Sequence, residues 1–408
     1  MKIVDFNSVK ESGLFYGGQS GLKLGIVYND ENWLLKFSKN IRDFKRVDLS
    51  YMTSALSEYI GSHVFECLDI PVHETLLGVR DGKLVVACKD FTDDHTQLIE
   101  YREIKNYYNQ ELEEELDQTI SNTEDHGSNL KAILIHADHN PVFKKVSNLE
   151  SRFWIQSIID VLINNNDRNS GNWGILFDKK KKAYRVAPVF DNGGSFYNKK
   201  SGKSFTKYLS NPDLLNTVST SLQTAYKIDG HNLSIKKFVE IDNEKMKDAF
   251  LKIVPLINKR FQDIKDMIQE IPESYQGIHI IDQPTKDFYI KSMEIRYQEI
   301  LIPRFLKICQ ERELDASKLL GDGYFYQHQM TLSQQIDSIM RDVDFYEYQD
   351  QEIYEGYNLE CIEKDLAEGG KGTIQYLEEL LNEDALNEEQ EEEAKELLKE
   401  IQEINRER

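Results

Sequence analysis

Residues 164–174 read Asn164-Asn165-Asn166-Asp167-Arg168-Asn169-Ser170-Gly171-Asn172-Trp173-Gly174, and the same region closes on Phe190-Asp191-Asn192-Gly193-Gly194-Ser195-Phe196. It offers a carboxylate at Asp167, an amide oxygen at Asn172 and a second carboxylate at Asp191. An Asp followed by Asn at this spacing is by itself a weak signal, because Asn, Asp, Ser and Gly gather in turns that bond their own backbone. The flanks decide the reading. Residues 153–163 are apolar at i, i+3, i+4 and i+7 and on other faces too, the pattern of a buried helix. Residues 173–177 and 183–190 read as strands about a lysine-rich turn, a hairpin that ends on Asp191. Helix, polar loop, hairpin and carboxylate place three oxygen-bearing side chains on one frame. Phosphoryl transfer is mostly positioning and charge neutralisation, so such a frame can carry it. One Asp would accept a hydroxyl proton, while an Asn and an Asp would hold magnesium on nucleotide phosphates.

A second constellation lies near the start of the chain. Gly13-Leu14-Phe15-Tyr16-Gly17-Gly18-Gln19-Ser20-Gly21 is glycine-rich, and glycines let backbone N–H groups approach phosphate oxygens with no Cβ in the way. Gly17, Gly18, Gln19 and Ser20 are the candidate phosphate-loop residues. A strand-like run 24–28, a turn at 29–32 and the run Trp33-Leu34-Leu35-Lys36-Phe37 follow. An ammonium within an apolar strand is costly unless it meets an anion, and a nucleotide phosphate is a suitable one. There is no strict G-x-G-x-x-G, so a flexible hairpin with an edge lysine is the alternative. Residues 51–68 read as a helix carrying Glu58, which could pair with Lys36 as in an active kinase or stand on a solvated face.

With those residues in hand, the chain resembles the HipA-like serine/threonine kinases, in the short form that lacks the extra N-terminal subdomain of the toxin HipA. The resemblance runs through Tyr16-Gly17-Gly18-Gln19-Ser20-Gly21-Leu22-Lys23, the Lys36 and Glu58 segments and Glu74-Thr75-Leu76-Leu77-Gly78. It continues in Val86-Ala87-Cys88-Lys89-Asp90-Phe91, the Asp167 to Gly174 loop and Ala187-Pro188-Val189-Phe190-Asp191-Asn192-Gly193. The resemblance implies ATP and Mg2+, transfer to serine or threonine, and an α+β, two-lobed protein-kinase-like fold with a β-rich N-lobe and a helical C-lobe. By matching position, Lys36 would contact the ATP phosphates, Asp167 would be the base, and Asn172 and Asp191 would be magnesium ligands. Cys88, Lys89, Asp90 and Phe91 would form the hinge whose backbone holds adenine. Two departures stand out. Asn169 occupies the position after Asp-Arg where the family usually has His, and Ser20 is out of register with the serine that HipA autophosphorylates.

Bulk properties bound the rest. A chain of 408 residues exceeds one ordinary domain. Its formal charge of -21 argues against direct nucleic-acid binding unless a local basic patch supplies it. The basic runs 179–182 and 199–207 read as solvated loops. Cys67, Cys88, Cys309 and Cys361 are scattered with no C-x-x-C, so neither a zinc finger nor a disulfide framework is indicated. His136, Asp138 and His139, with His126, are too local to complete a metal site. No signal-peptide stretch and no run of transmembrane length is visible, so the expectation is a cytoplasmic protein without membrane contact, with signal-independent secretion left open.

The expected organisation is an N-lobe over 1–91, a helical C-lobe over 92–320 and an acidic helical extension over 321–408. Within the extension, Ala394, Leu397, Leu398, Ile401 and Ile404 form an apolar seam too short for a stable lone coiled coil. A solvated helix is expected, with docking or pairing as alternatives. The leading functional expectation is phosphorylation of a hydroxyl on a protein substrate, with autophosphorylation and an antitoxin-like repressor partner as open questions. The alternatives are AMP transfer, a small-molecule acceptor, or a nucleotide-binding scaffold without catalysis; retention of all three base-and-magnesium positions argues against the last.

Overall fold

Asn29 and Asp30, at φ 51° and 62°, turn β2 (Lys23–Tyr28) into β3 (Glu31–Phe37). Asp81 and Gly82, at 52° and 69°, do the same between β4 (Thr75–Arg80) and β5 (Lys83–Lys89). Two consecutive positive φ angles give the turn whose twist matches antiparallel strands, and Asn, Asp and Gly are the residues that adopt it. With β1 (Val4–Asp5) parallel to β4, these strands make a five-stranded sheet in the order β1-β4-β5-β3-β2. Alternate residues Trp33, Leu35 and Phe37 on β3 pack with Val85, Ala87, Ile26 and Phe6 into one core. That alternation leaves Lys36 on the opposite face, toward α1 (Ser54–Cys67) and the second lobe.

The computed structural model describes residues 2–14, 16, 22–38, 52–107, 110–119, 127–200, 202–321, 323, 336, 359–382 and 388–407. Contacts group the chain into Met1–Gly323 and Tyr324–Arg408. In the first unit, β6 (Thr96–Glu100) follows the small sheet, then α2 (Tyr101–Ile104), α3 (Gln110–Thr119), α4 (Leu130–His139) and α5 (Leu149–Ile163). The hairpin expected over 173–190 is β7 (Gly174–Asp178) with β8 (Ala183–Val186), and it is not alone. β6 pairs antiparallel with β7 to make three strands in the order β6-β7-β8. Thr96 to Glu100 falls within the span 92–320 expected as a helical C-lobe, and it is a strand instead. Its pairing partner lies far along the chain, so no local period announces the strand.

The larger lobe is built around α5. Nearly every residue from Phe153 to Ile163 is buried, as the all-round apolar pattern predicts, and Trp154, Ile158, Ile159 and Leu162 are wholly inaccessible. Each such side chain contributes about 1.5–3 kcal/mol of hydrophobic stabilisation. After β8 come α6 (Gly202–Leu209), α7 (Pro212–Thr220), the hairpin β9 (Gln223–Ile228) and β10 (His231–Ser234), and α8 (Ile235–Val239). The long α9 (Glu244–Gln269) packs along α5 with Phe250, Ile253, Val254, Ile257, Phe261 and Ile264. α10 (Gln283–Arg296), a short π turn at Tyr297–Leu301, α11 (Ile302–Glu311) and α12 (Ala316–Leu320) complete the unit.

The second unit is helical where described, with helices Leu359–Ala367, Lys371–Asn382 and Glu388–Glu407. The last does not stand solvated as expected. Ala394, Leu397 and Ile401 are buried in one cluster with Ile362, Tyr376, Leu377 and Leu380. Only Ile404 of the seam stays exposed. Among the described residues, no helix is long and apolar enough to cross a membrane.

Candidate active site

β3 carries Lys36 into the space between the lobes, in register with Lys23 on β2 and Val86 on β5. Lys36 Nζ lies 2.9 Å from Glu58 Oε2 and 2.9 Å from Asp191 Oδ1. Glu58 is 1% exposed, so a solvated face is ruled out for it. Its carboxylate accepts from the backbone N–H groups of Asn192 (3.0 Å) and Gly193 (3.1 Å), and His73 Nε2 stands 3.0 Å from Oε1. Burial opposes the charge on both partners, yet pairing wins. Asp191 and Glu58 hold Lys36 well above the ordinary ammonium range, while Lys36 and His73 hold Glu58 well below the carboxylate range.

α5 ends on Asn164, whose left-handed φ of 54° stops the helix and starts the catalytic-type loop. The loop is organised by Arg168, which is 2% exposed. Its guanidinium bonds both oxygens of Asp160 at 2.9 Å, the carbonyls of Asn172 (3.0 Å) and Phe190 (2.6 Å), and Asn192 Oδ1 (2.6 Å). One buried cation thereby ties α5, the loop and the segment around Asp191 together. Asn172 Nδ2 donates to the Asp167 carbonyl at 2.6 Å, which orients the amide and leaves its oxygen for another partner. Burial pushes the Asp167 carboxyl up, with Asp191 adding to the rise; a bond from Asn169 Nδ2 at 3.0 Å partly offsets it.

Asp191 itself sits at φ 59°, a left-handed conformation that Asp and Asn adopt more readily than most residues. The glycines after it permit close approach. A Cβ on Gly194 would lie 2.7 Å from Asp167 Cβ, so no larger residue fits between the two loops. Lys36, Asp167, Asn172 and Asp191 all line one cleft of about 830 Å3, with Lys23, Leu34, Tyr16 and residues 88–93 along its other walls.

At the hinge, the N–H of Lys89 goes to Glu74 O (2.9 Å) and that of Asp90 to Asn32 O (3.0 Å). Cys88 lies within the β3-β5-β4 ladder. Of the four residues expected to form the hinge, Phe91 is the one whose N–H has no hydrogen-bond partner among the described residues. The Lys89 side chain turns away to pair with Glu31 (2.8 Å) and Glu74 (3.2 Å). Gly17, Gly18, Gln19 and Ser20 lie outside the described residues. Their neighbour Tyr16 donates from its hydroxyl to Asp90 Oδ2 at 2.9 Å, bringing the start of the glycine-rich stretch beside the hinge.

Two apparent metal clusters do not hold up. His136 is buried beside Asn140 Nδ2 (3.2 Å) and edge-on to Tyr101, as a core histidine, and His126 lies outside the described residues. Glu58, His73 and Cys88 also cluster, all buried. The Lys36 ammonium already occupies that carboxylate, and burial pushes the Cys88 thiol far up, so a cation there would meet a positive charge and a protonated ligand. The sequence reading missed Lys23, His73, Arg168 and Tyr16 as parts of this site. Arg168 stood beside Asp167 in the quoted motif, but nothing local marks Asp160 as its partner. His73 and Tyr16 reach the site only through the fold.

No family model matches the chain. It is 33% identical over 246 residues, covering 60% of this chain and 72% of the relative, to the serine/threonine-protein kinase CtkA of Helicobacter pylori strain J99. The crystal structure of a Helicobacter pylori proinflammatory kinase CtkA superposes with a TM-score of 0.66 at 29% identity, covering 77% of this chain and all of that one. A likeness to HipA of Shewanella oneidensis MR-1, at 12% identity and a TM-score of 0.41, is too remote to add to this. The fold is thus the α+β, two-lobed arrangement of a kinase. The chain belongs to the CtkA family of serine/threonine-protein kinases, the short HipA-like form that its motifs resemble.

Proposed function

We propose that the protein transfers the γ-phosphate of ATP, in a magnesium-dependent reaction, to a serine or threonine hydroxyl of a protein. The observation that carries the proposal is the placement of Lys36 Nζ between Glu58 and Asp191, at 2.9 Å from each, in the cleft that Asp167 and Asn172 also line. Glu58 positions Lys36, and Lys36 neutralises phosphate charge. Asn172 Oδ1 and the second carboxylate oxygen of Asp191, whose Oδ1 pairs with Lys36, suit magnesium, a hard cation that takes oxygen donors. Magnesium held with the nucleotide supplies charge neutralisation at the phosphate oxygens. Leu34 and the Phe91 N–H serve the base. Asp167 accepts the proton of the acceptor hydroxyl as its oxygen bonds the γ-phosphorus and the bond to the bridging oxygen breaks, and the raised Asp167 pKa suits it to that task.

The test is incubation with γ-labelled ATP and magnesium, followed by mass spectrometry of the labelled protein. Serine or threonine should gain one phosphate, whereas gain of a nucleotide would mean AMP transfer. Lys36→Met should lower kcat by about 10^2-fold or more, the usual cost of losing one preorganised electrostatic contact. Undiminished labelling by Lys36→Met would overturn the proposal.

A further inference from the structure

We infer that the segment 199–207, directly after the Asp191 loop, is the surface on which the acceptor docks, and that it selects serine or threonine flanked by acidic residues. The inference rests on the phosphotransfer reading above and names the substrate class of that same site. Residues 192–212 carry Lys199, Lys200, Lys203 and Lys207 and no Asp or Glu, in a chain whose formal charge is -21. Lys199, Lys203 and Lys207 are exposed, and Lys200 is partly so. Among the described residues none of the four has an ion-pair partner. Some cations elsewhere on the same unit are paired, among them Lys307 with Glu240 at 2.7 Å and Arg312 with Glu244 and Asp248 at 2.7 Å each. The segment therefore concentrates four unpaired cations into a local positive field, with the Asp282 carboxylate packed against Gly202 as an acid beside it.

Its position makes that field useful. The backbone at Gly194 passes in direct contact with Asp167, and the Phe196 N–H bonds Ile163 O (3.1 Å) at the end of α5. Asn198 O accepts from the Thr53 N–H at 2.8 Å, just before α1. The Tyr197 hydroxyl donates to Val218 O at 2.8 Å and meets Arg296 at 3.1 Å, while Phe205 stacks on Phe288 with ring centroids 4.4 Å apart. Lys199, Lys200 and Lys203 thus stand between two anchored aromatic positions, with Lys207 just beyond the second. Lys199 is close enough for its charge to act on Asp167. Lys36 and Lys23 occupy the nucleotide side of the cleft. An acceptor hydroxyl reaching Asp167 brings its flanking residues over 199–207. Nucleic acid fits less well: Phe196 and Phe205 are fully buried and offer no face for bases to stack on.

The experiment compares three peptides around one serine, with acidic, neutral and basic flanks, at low and high salt. It uses the full chain and a variant carrying Lys199→Glu, Lys203→Glu and Lys207→Glu together. Thermal melting and ATP binding of the variant serve as folding controls. The wild type should favour the acidic peptide over the basic one by about tenfold in kcat/KM at low salt, with the preference shrinking as salt rises. The triple variant should invert the ranking. Equal rates for the three peptides, or the same ranking in both proteins, would overturn the inference. So would inhibition by an RNA oligomer that acidic peptides cannot reproduce, or self-phosphorylation without transfer to any peptide. Failure of the phosphotransfer reading looks different: no labelled product of any kind and no uptake of ATP.

Discussion

Asp167→Asn should keep ATP affinity within a few-fold of wild type while lowering the rate of phosphate transfer by about 10^2- to 10^4-fold, the range general-base catalysis supplies. The substitution is isosteric, and what anchors the loop is not the Asp167 carboxylate. Arg168 holds it through Asp160 and three further oxygens, and Asn172 bonds the Asp167 carbonyl, which the variant retains. On the proposed mechanism the lost group is a proton acceptor used in the transition state, so kcat should fall and nucleotide binding should not. A pH profile adds a second signature. Burial raises the wild-type carboxyl above the ordinary aspartate value, so the acid limb of kcat should fall at a higher pH than an exposed aspartate would give. The same shift has a sign for stability. The charged form is disfavoured in the folded protein, so stability contributed by this residue declines as pH rises through its folded pKa, and Asp167→Asn should melt no lower than wild type at neutral pH. Equal single-turnover rates for the two proteins would remove Asp167 from the mechanism.

Glu58→Ala should cost about 3–5 kcal/mol of folding stability, the range for breaking a buried ion pair from one side. The deletion strands Lys36 against Asp191 alone, leaves His73 facing a void and orphans the N–H groups of Asn192 and Gly193. The last two bonds matter for function as well, because they fix the backbone just after Asp191. Transfer should fall along with stability. The pH dependence follows from the depressed pKa of Glu58. Its contribution is complete above the ordinary glutamate value of 4.5 and is lost as pH falls through the folded-state pKa, so variant and wild type should converge in acid. Urea titrations at neutral and acid pH read both effects; a neutral-pH difference under 1 kcal/mol would place Glu58 outside the ion-pair network.

What the sequence disclosed follows from which interactions are local. Asn164 and Asp191 take left-handed backbone, a constraint that operates within a few residues, so the polar loop and the turn after Phe190 could be recognised as positions where carboxylates are presented, whereas Gly194 is required by its contact with Asp167 across the two loops. α5 announced itself by apolar spacing, and Lys36 by standing in an apolar strand. The remainder depends on long-range pairing. β6 finds its partner only when β7 has formed, eighty-two residues on at Thr96 opposite Asp178. Arg168 and His73 join the site through Asp160 and Glu58, which no motif connects to them. The seam of the final helix looked too short to be stable alone, and it is not alone: Tyr376 and Leu377 cover it.

On the proposed function, Lys36, Asp167, Asn172 and Asp191 surround one metal-bound triphosphate. Calorimetric titration of ATP with and without magnesium, for the wild type and for Asp191→Ala, tests this most directly. Magnesium should tighten wild-type binding at least about tenfold, a coupling of about 1.4 kcal/mol, and should do almost nothing for Asp191→Ala, which keeps the weaker metal-free affinity. Wild-type affinity indifferent to magnesium, or an undiminished magnesium effect in Asp191→Ala, would contradict it.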